Sequence, residues 1–366
     1  MSMVAPHRSD ETARRRRSPS GGLISLLPVA LLLSCLIFAA ITYVGIGAIY
    51  DKVINDLPSP SDLDTIFLGE NSGVFDRTGT VKLAEFGSDR RENATFEEIP
   101  SIVIDTTTAI EDKTFWQNAG FDPLGFVAAA LDTLRGSGRG GSTITQQLVR
   151  GVLLPADAFK GIIYERKIKE IIQAIRLTKE FPGRAGKEKV MTTYMNNNYY
   201  GSRAYGIRAA AEQYFGITDL SLLTLGQAAL LAGIPQAPST YDLRANAIVC
   251  PAIPDACTGI SDGVLVVPLD TPVARRRVEV LNLLKATRDA GIPQETESIE
   301  NAAIEAAKSE TITLVAAPLQ KMNAPHFVNR VRDIASEILC PPEDSFCTRL
   351  DTDGYRIVTT LRSEEH

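Results

Sequence analysis

A long uncharged stretch near the N-terminus constrains this chain more than any other feature. After the run Arg14 to Arg17 no charged residue occurs until Asp51, and the intervening 33 residues are rich in Leu, Ile, Val, Ala and Phe. A helix needs about 20 such residues to cross the hydrocarbon core of a bilayer. The stretch therefore predicts a transmembrane anchor at 22–50, preceded by a short tail at 1–21.

Two other interpretations of this stretch have less support. A cleaved signal peptide also begins with basic residues, but its apolar region usually has only about 7 to 15 residues. Leu32 to Cys35 resembles a lipoprotein cleavage box, yet Leu33 fits it poorly and the apolar run continues past Cys35. Because the arginine run should stay in the cytoplasm, the positive-inside rule places everything after Asp51 on the outer side of the membrane.

The distribution of charge excludes one class of partner. The first 17 residues contain five Arg against Asp10 and Glu11, a net charge of +3, whereas the whole chain carries −6, which leaves −9 for the remainder. Binding to nucleic acid needs clustered Lys and Arg opposite the phosphate backbone. The predicted external part is therefore not expected to bind nucleic acid, although local basic patches can still bind phosphate.

Four cysteines fall in the predicted external part, where disulfides persist. Cys250 and Cys257 are seven residues apart, and so are Cys340 and Cys347. Four cysteines allow three connectivities, of which closure within each neighbouring pair is the simplest. Zinc binding is the competing interpretation, but the sequence has no CxxC pair and only two external histidines, so a site of Cys and His ligands is not expected.

Turn signals and periodicity divide the external part. Prolines favour a stalk over 51–70, and alternating apolar residues predict a β-hairpin from Val74 to Phe86. Proline, glycine and cysteine break the regularity at 244–272, which predicts an inserted surface loop, and Tyr355 to Leu361 has the composition of a strand. The pattern after Ile102 predicts a mainly α fold, with helices near 164–179, 187–198, 203–215, 222–234, 272–289 and 297–309.

An acidic pair is the first of three chemical signals between residues 109 and 238. Glu111 and Asp112 follow an apolar segment and precede Phe115. A carboxylate beside apolar surface has its charged form disfavoured, which raises its pKa and makes it a better proton acceptor near neutral pH. Taken alone, such a pair is usually a charge at a helix N-terminus.

A glycine-rich segment is the second signal. Gly140 and Gly141 precede a run of hydroxyl and amide side chains from Ser142 to Gln147. Glycines free the backbone, and polar groups that open a helix can face phosphate or sugar oxygens. The spacing from Gly136 to Gly141 mimics a nucleotide P-loop, but Ser142 stands where its lysine must be, which excludes the ATPase interpretation.

A charged cluster is the third signal. Arg166, Lys167 and Glu170 lie within about one helical turn of each other. Such residues are most often a solvated helix face with an internal ion pair. The functional alternative is a pyrophosphate clamp, in which Arg supplies forked contacts and Lys a point charge.

In order and composition these motifs resemble the peptidoglycan glycosyltransferases of family 51, which occur in class A penicillin-binding proteins and in monofunctional transglycosylases. The resemblance covers about residues 72–243, within a predicted glycosyltransferase domain at 71–243. The matching segments are Glu-Asp-x-x-Phe from 111, Gly-Gly-Ser-Thr-Ile-Thr-Gln-Gln-Leu from 140, Arg-Lys-x-x-Glu from 166, Tyr194 to Asn196, Gly201, Tyr205, Gly206, Tyr214 to Gly216, and Ala229 to Pro238.

The resemblance implies a lysozyme-like fold and a transfer between two lipid-linked sugars, lipid II and the growing glycan chain. In that family, the glutamate matching Glu111 deprotonates the acceptor 4-hydroxyl, which attacks the donor's anomeric carbon with inversion and expels undecaprenyl pyrophosphate. Positions matching Arg166 and Lys167 stabilise this leaving group. Glu170 matches a second catalytic glutamate, which orients the site or a divalent cation.

The resemblance also implies a wider substrate-binding set and no tightly bound cofactor, with Mg²⁺ or Mn²⁺ accompanying the pyrophosphate as an option. Besides the two cations, this set consists of Asp112, Phe115, Gly141, Ser142, Thr143, Gln146, Gln147, Arg150 and Asn196. Three positions depart from the family: Asn118 replaces His, Arg150 replaces Lys, and Gly151 replaces Asn. Asn118 keeps a hydrogen-bonding group but loses a titrating one.

Anchor and resemblance together predict a single-pass protein of the bacterial plasma membrane, with a cytoplasmic N-terminus and other wall-building proteins as partners. The apolar residues between Val152 and Ile163 match a jaw that dips into the bilayer, and burial against the core explains the isoleucines nearly as well. The segment 273–366 is predicted as a helical linker and the start of a truncated transpeptidase region. The transpeptidase motifs Ser-x-x-Lys and Lys-Thr-Gly do not occur.

Two other functions remain open at this point. A lysozyme-type glycan hydrolase also uses a buried glutamate and a second carboxylate, but it has no need of a pyrophosphate clamp. An inactive scaffold is the non-enzymatic alternative, and the presence of both Glu111 and Glu170 speaks against it.

Overall fold

The structure, a computed structural model, describes residues 31–38, 57–64, 69–87, 89–134, 140–160, 163–251, 255–296, 298–317, 322–340 and 347–362. The chain divides into two compact units, 1–56 and 57–366. In the first unit the described residues 31–38 form a helix, α1, whose side chains are all exposed. The rest of the predicted anchor lies outside the described residues. Within the described part of the chain, no helix combines the length and apolar character needed to cross a bilayer.

The second unit is mainly helical, as the periodicity predicted. Short 3₁₀ segments and one π-helical turn at Val149–Leu153 connect the longer elements. The α-helices are α2 Ser101–Glu111, α3 Pro123–Leu134, α4 Ile144–Leu148, α5 Ile163–Glu180, α6 Gly183–Asn197, α7 Ile207–Phe215, α8 Leu225–Gly233, α9 Pro238–Tyr241, α10 Pro272–Asp289, α11 Asn301–Ser309, α12 Pro325–Leu339 and α13 Thr348–Thr352.

The described strands form three small sheets, ordered β2-β1-β8, β3-β4 and β5-β6-β7. In the first sheet, the predicted hairpin is present and β8 pairs with β1 in parallel, with Val74 opposite Ile357. The strands are β1 Ser72–Phe75, β2 Lys82–Phe86, β3 Arg90–Arg91, β4 Ala204–Tyr205, β5 Ile248–Val249, β6 Leu265–Val267, β7 Ile312–Leu314 and β8 Arg356–Val358.

Two segments differ from their predicted form. The helix expected at 203–215 begins only at Ile207, because Gly206 precedes it with φ 87° and residues 204 and 205 pair with β3 instead. The segment 244–272, predicted as a surface loop, supplies β5 and β6. Val266 and Val267 of β6 are buried, and β6 pairs with β7, which lies 45 residues further along the chain and was not visible as a partner in the sequence.

The main core lies among α4, α5, α6, α7 and α8, and a second core joins α2, α8, α10 and α11. Small residues at this second core let the helices approach closely. A Cβ added to Gly233 of α8 would lie 2.7 Å from the Cγ atom of Arg276 on α10. Glycine at this position therefore allows α10 to pack directly on α8.

Two buried side chains fasten α10 and the segment after it. Arg277, which is 1% exposed, donates to the carbonyl oxygens of Lys308 (2.8 Å) and Glu310 (2.9 Å) at the C-terminal end of α11. Asp105 of α2 accepts from the backbone amides of Glu295 (2.7 Å) and Thr296 (2.8 Å). Since the last carbonyls of a helix have no partner within it, these contacts satisfy groups that would otherwise be buried unpaired.

Replacing Arg277 with Met is expected to lower the free energy of unfolding by about 3 kcal/mol, because it leaves buried carbonyl oxygens without donors. Thermal unfolding of the detergent-solubilised chain measures this as a fall in Tm. Arg275→Met, at an exposed position of the same helix, is the matched control and should change the stability by less than about 0.5 kcal/mol. Equal Tm values for the two variants would show that Arg277 does not fasten α10.

Candidate functional site

Glu111 is the last residue of α2, and Asp112 caps that helix outside helical geometry. The Glu111 carboxyl accepts a hydrogen bond at Oε2 from Gln147 Nε2 (2.6 Å), whereas Oε1 is buried and has no hydrogen-bond partner among the described residues. Burial raises the pKa of Glu111, and the Gln147 bond opposes this rise. The partial negative charge at a helix C-terminus also disfavours a carboxylate there. The carboxyl is therefore desolvated but has one oxygen free.

Two cavities meet at Glu111. The smaller one has a volume of about 100 Å³ and the larger one about 280 Å³. Ile110, Glu111, Gly140 and Ser142 line both of them. The smaller cavity also includes Asp112, Lys113, Asp122, Gly141 and Thr143, and the larger one includes Gln147, Arg150, Gln236, Arg276 and Glu279. A group on either side of Glu111 can thus approach the same carboxyl.

The predicted charged cluster is joined to this site through Ser142. Lys167 Nζ donates to Ser142 Oγ (2.7 Å) and to Glu170 Oε2 (3.2 Å). Arg166 Nε lies 3.4 Å from Glu170 Oε1. The three residues share one face of α5 because positions three and four apart are neighbours on a helix. Glu170 is only 1% exposed, and burial lowers the pKa of Lys167. We refer to Arg166, Lys167 and Glu170 as the cationic cluster.

Two of the predicted substrate-binding residues, Thr143 and Gln146, build the N-terminus of α4. Thr143 is the N-cap: its Oγ1 accepts from the Gln146 amide (3.2 Å), and its own amide donates to Gln146 Oε1 (3.0 Å). Thr143 Oγ1 also donates to the Gly120 carbonyl (2.7 Å). Both side chains are buried, and Gln146 lines neither cavity. Thr143 and the Gln146 side-chain oxygen therefore form a capping box, which positions Ser142 just before the helix.

Asp112 is buried and accepts hydrogen bonds from Asn118 and from the N-terminus of α4. Its Oδ1 and Oδ2 accept from Asn118 Nδ2 (2.9 and 3.1 Å), and Oδ2 accepts from the Ile144 amide (3.2 Å). Asn118 Oδ1 in turn accepts from Lys187 Nζ (3.1 Å), which lies 4.6 Å from the centre of the Phe115 ring. Burial raises the pKa of Asp112 to about 6 and lowers that of Lys187 to about 8. Asn118, at the family's histidine position, thus joins two buried charges by hydrogen bonds.

The raised pKa of Asp112 predicts a pH-dependent stability. A carboxyl that binds its proton more tightly in the folded state stabilises the fold at low pH, and this contribution is lost as pH rises from about 4 to about 6. The free energy of unfolding should fall by up to about 3 kcal/mol across that window. Asp112→Asn should remove this fall, because an amide does not titrate. Urea unfolding of both proteins between pH 4 and 7 isolates the difference, and parallel curves would contradict the prediction.

Two further predicted residues lie away from both cavities. Phe115 is fully buried, packed edge to face on Trp116 at 4.9 Å between ring centres. Asn196 is buried as well, and its side chain pairs with the backbone of Ala94, accepting at 2.9 Å and donating at 2.8 Å. Their contacts support the core around the site, while Gly141, Ser142, Gln147 and Arg150 do line the cavities. Gly141 permits close packing, since an added Cβ would lie 2.8 Å from the Cβ of Ala129.

The apolar segment predicted as a jaw is divided between core and surface. Leu153 is buried, whereas Phe159 and Ile163 are exposed, and Ile162 lies outside the described residues. The Arg166 guanidinium carbon lies 5.6 Å from the centre of the Phe159 ring. Helix α3, which precedes Gly140 in the chain, has an exposed apolar face beside the site. This face consists of Leu124, Phe126, Val127 and Leu131.

Sequence reasoning did not identify the residues that α10 and the turn after α8 contribute to the larger cavity. These residues are Gln236, Arg276, Glu279 and Leu283. The run Arg275 to Arg277 was a signal for a cationic segment, but helical periodicity alone does not show which side of α10 faces Glu111. The position of α10 follows from its packing on α2 and α8.

The cysteines pair as Cys250–Cys257 and Cys340–Cys347, each with its Cα atoms 5.5 Å apart. Each bridge joins two neighbouring cysteines, which is the simplest of the three connectivities that the sequence allows. Among the described residues, no group of three or more His, Cys, Asp or Glu side chains is arranged to hold a metal ion.

Comparison with known proteins identifies the region that holds this site. A family model described as Transglycosylase matches residues 79–253. Penicillin-binding protein 1A/1B of Bacillus subtilis is 34% identical over 64% of this chain and 24% of its own length. Penicillin-binding protein 1A of Vibrio cholerae is 38% identical over 57% and 24%, and that of Escherichia coli is 31% identical over 87% and 32%.

This chain spans about a quarter to a third of the length of these curated relatives. Glu111, Ser142, Arg166, Lys167 and Glu170 all lie within the matched stretch. The matched stretch therefore includes the cavity-lining residues up to Gln236 but not those on α10. Residues 79–253 therefore match the transglycosylase family, in agreement with the predicted resemblance to the family 51 glycosyltransferase domain of class A penicillin-binding proteins.

Proposed function

We propose that this chain is a peptidoglycan glycosyltransferase that polymerises lipid II into glycan strands. One observation carries the proposal: a desolvated carboxyl, Glu111, stands between two cavities that both reach Ser142, and Ser142 is bonded to the cationic cluster. A transfer between two sugars needs a base at the attacking hydroxyl and positive charge at the leaving group. This arrangement supplies both within one cleft.

Glu111 acts as the general base in this proposal. Gln147 holds Oε2, which leaves the unpartnered Oε1 to accept the proton of the acceptor's 4-hydroxyl. As that proton moves to Glu111, the hydroxyl oxygen forms a bond to the donor's anomeric carbon, and the bond to the pyrophosphate oxygen breaks on the opposite face. A base with a raised pKa is well matched to this step near neutral pH.

The leaving pyrophosphate takes the electron pair of the broken bond, so negative charge grows on its oxygens. Arg166 and Lys167 carry two positive charges against the single carboxylate of Glu170, which leaves a net positive cluster. Arg150, in the larger cavity, adds a further positive charge. Fixed charges of this kind stabilise a transition state without having to reorganise. Glu170 positions the two cations by pairing with both.

The residues of the cluster do not fit a metal ion held by the protein. Both oxygens of Glu170 face cations, at 3.2 and 3.4 Å, so a divalent ion would have to displace Arg166 or Lys167. Mg²⁺ or Mn²⁺ would therefore enter with the substrate's pyrophosphate, as part of the substrate.

The proposal includes the location and partners of the enzyme. The uncharged stretch at 18–50 and the arginine run before it support a single-pass anchor in the bacterial plasma membrane with the catalytic domain outside. The exposed residues Phe159, Ile163 and Leu124 offer apolar surface near the cleft for a bilayer. Enzyme and lipid-linked substrate would then share one surface, beside other wall-building proteins.

Incubation of the detergent-solubilised chain with lipid II tests the proposal. Gel electrophoresis of the products should show glycan polymer and released undecaprenyl pyrophosphate. Shortening of a preformed glycan strand without polymer formation would instead indicate the hydrolase. Absence of both reactions, in protein that unfolds cooperatively on heating, would indicate the scaffold and reject the proposal.

A further inference from the structure

Helix α10 forms part of the wall beside Glu111, although it lies outside the stretch that matches the transglycosylase family. It packs on α2, which ends at Glu111, and on α8. Arg276 and Glu279 of α10 line the larger cavity together with Glu111 and Arg150. The cavity that adjoins the proposed base is therefore incomplete without α10.

Arg276 is a desolvated charge at this wall. It is 9% exposed, and its Nε has no hydrogen-bond partner among the described residues. Its Nη1 donates to Glu279 (2.8 Å), but the side chain of Glu279 is 56% exposed, so water screens that carboxylate. Burying an arginine this deeply is unfavourable unless another group uses its charge. Glu111, in the same cavity, is such a group.

The other ionisable groups around Glu111 cannot replace this charge. Tyr194 and Tyr200 face it from α6 and the turn that follows, and burial raises the pKa of both hydroxyls, so they stay neutral. Arg150 also favours the ionised carboxyl but is exposed. The remaining groups around the two cavities are Glu279 on the larger one and Asp112, Lys113 and Asp122 on the smaller one.

We propose that Arg276 is a positioning residue for Glu111, whose guanidinium keeps that carboxylate ionised and ready to accept the acceptor's proton. The inference rests on the proposed function. Burial raises the pKa of Glu111 and so disfavours its charged form, whereas a buried cation facing the same cavity favours that form. Burial raises the pKa of Glu111 overall, and the Gln147 bond, Arg276 and Arg150 oppose that rise.

The pH dependence of kcat/KM for lipid II polymerisation tests this inference, because its acidic limb reports the base of the free enzyme. Arg276→Gln should move that limb to higher pH by about 0.5 to 1 unit. At pH values below the limb, kcat/KM of this variant should be roughly three- to tenfold lower than that of the original enzyme. At pH values above the limb the two should agree. Arg276→Lys should return the limb towards its original position. Glu279→Gln, which removes a negative charge, should move it to lower pH.

Controls separate this role from others. Arg275→Gln makes the same charge change at an exposed position of α10 and should leave the limb in place. Asp112→Asn shows which carboxyl causes the acidic limb of kcat/KM. If the limb disappears in this variant, it reports Asp112 and not Glu111, and the inference is wrong. An Arg276→Gln enzyme with an unmoved limb, whether its KM rises or its kcat falls at every pH, also overturns it.

The inference and the proposed function fail in different ways. If Glu111→Gln polymerises lipid II at the normal rate, the assignment of the base is wrong. If that variant is inactive while Arg276→Gln keeps the original limb, the base stands and only the role of Arg276 is rejected.

Discussion

Replacing Glu111 with Gln is expected to slow lipid II polymerisation by about 10²- to 10⁴-fold, the usual contribution of a general base. Gln has the shape of Glu but cannot accept the hydroxyl proton. The hydrogen bond from Gln147 survives, because the Gln side chain keeps a carbonyl oxygen for Nε2. Tm should not fall, since the substitution removes a buried ionisable group and with it the cost of its desolvation.

The measurement is the initial rate of polymer formation at saturating lipid II, with thermal unfolding in parallel. Glu97→Gln, at an exposed position of the same chain, is the matched control and should keep the full rate. A Glu111→Gln enzyme with more than about a tenth of the original rate would reject this residue as the base.

Replacing Arg166 with Ala is expected to lower kcat by about 10²- to 10³-fold, or roughly 3 to 4 kcal/mol of transition-state stabilisation, the range found for loss of one fixed donor. The loss should appear in kcat more than in KM, because charge on the pyrophosphate grows only as the bond breaks. Arg166→Lys should recover part of the rate, since it keeps the charge but not the forked geometry.

Lys179→Ala is the matched control for this substitution. It removes a cation from an exposed position near the end of the same helix and should leave kcat unchanged. An Arg166→Ala enzyme whose KM rises while kcat stays constant would show that Arg166 binds the ground state only. The cationic cluster would then have no part in stabilising the transition state.

Departures from the family do not break the local geometry. Asn118 replaces a histidine and still bonds Asp112, Gly120 and Lys187. Arg150 replaces a lysine and keeps a positive charge on the wall of the larger cavity. Gly151 stands where the family has Asn. A Cβ added at this position would lie 3.1 Å from Asn197 Nδ2, which is a tight contact.

Features that depend on neighbours along the chain could be predicted from the amino-acid sequence. Alternation predicted the β1–β2 hairpin, and a period of 3.6 residues predicted α5, α6, α8 and α10 within a few residues of their ends. The spacing of Arg166, Lys167 and Glu170 placed them on one helix face. The order of the motifs pointed to Glu111 and to the resemblance with the family 51 glycosyltransferases.

The division of the polar side chains between the cleft and the core depends on contacts between distant parts of the chain. Asn196 bonds Ala94, 102 residues away, and Asp112 bonds the Ile144 amide, 32 residues away. A sequence shows that such a residue is polar, but it does not show the distant backbone group that satisfies it. The same reason applies to Arg276, which lines a cavity with Glu111 because α10 packs on α2 and α8. Gly233 of α8 leaves room for the Arg276 side chain at that contact.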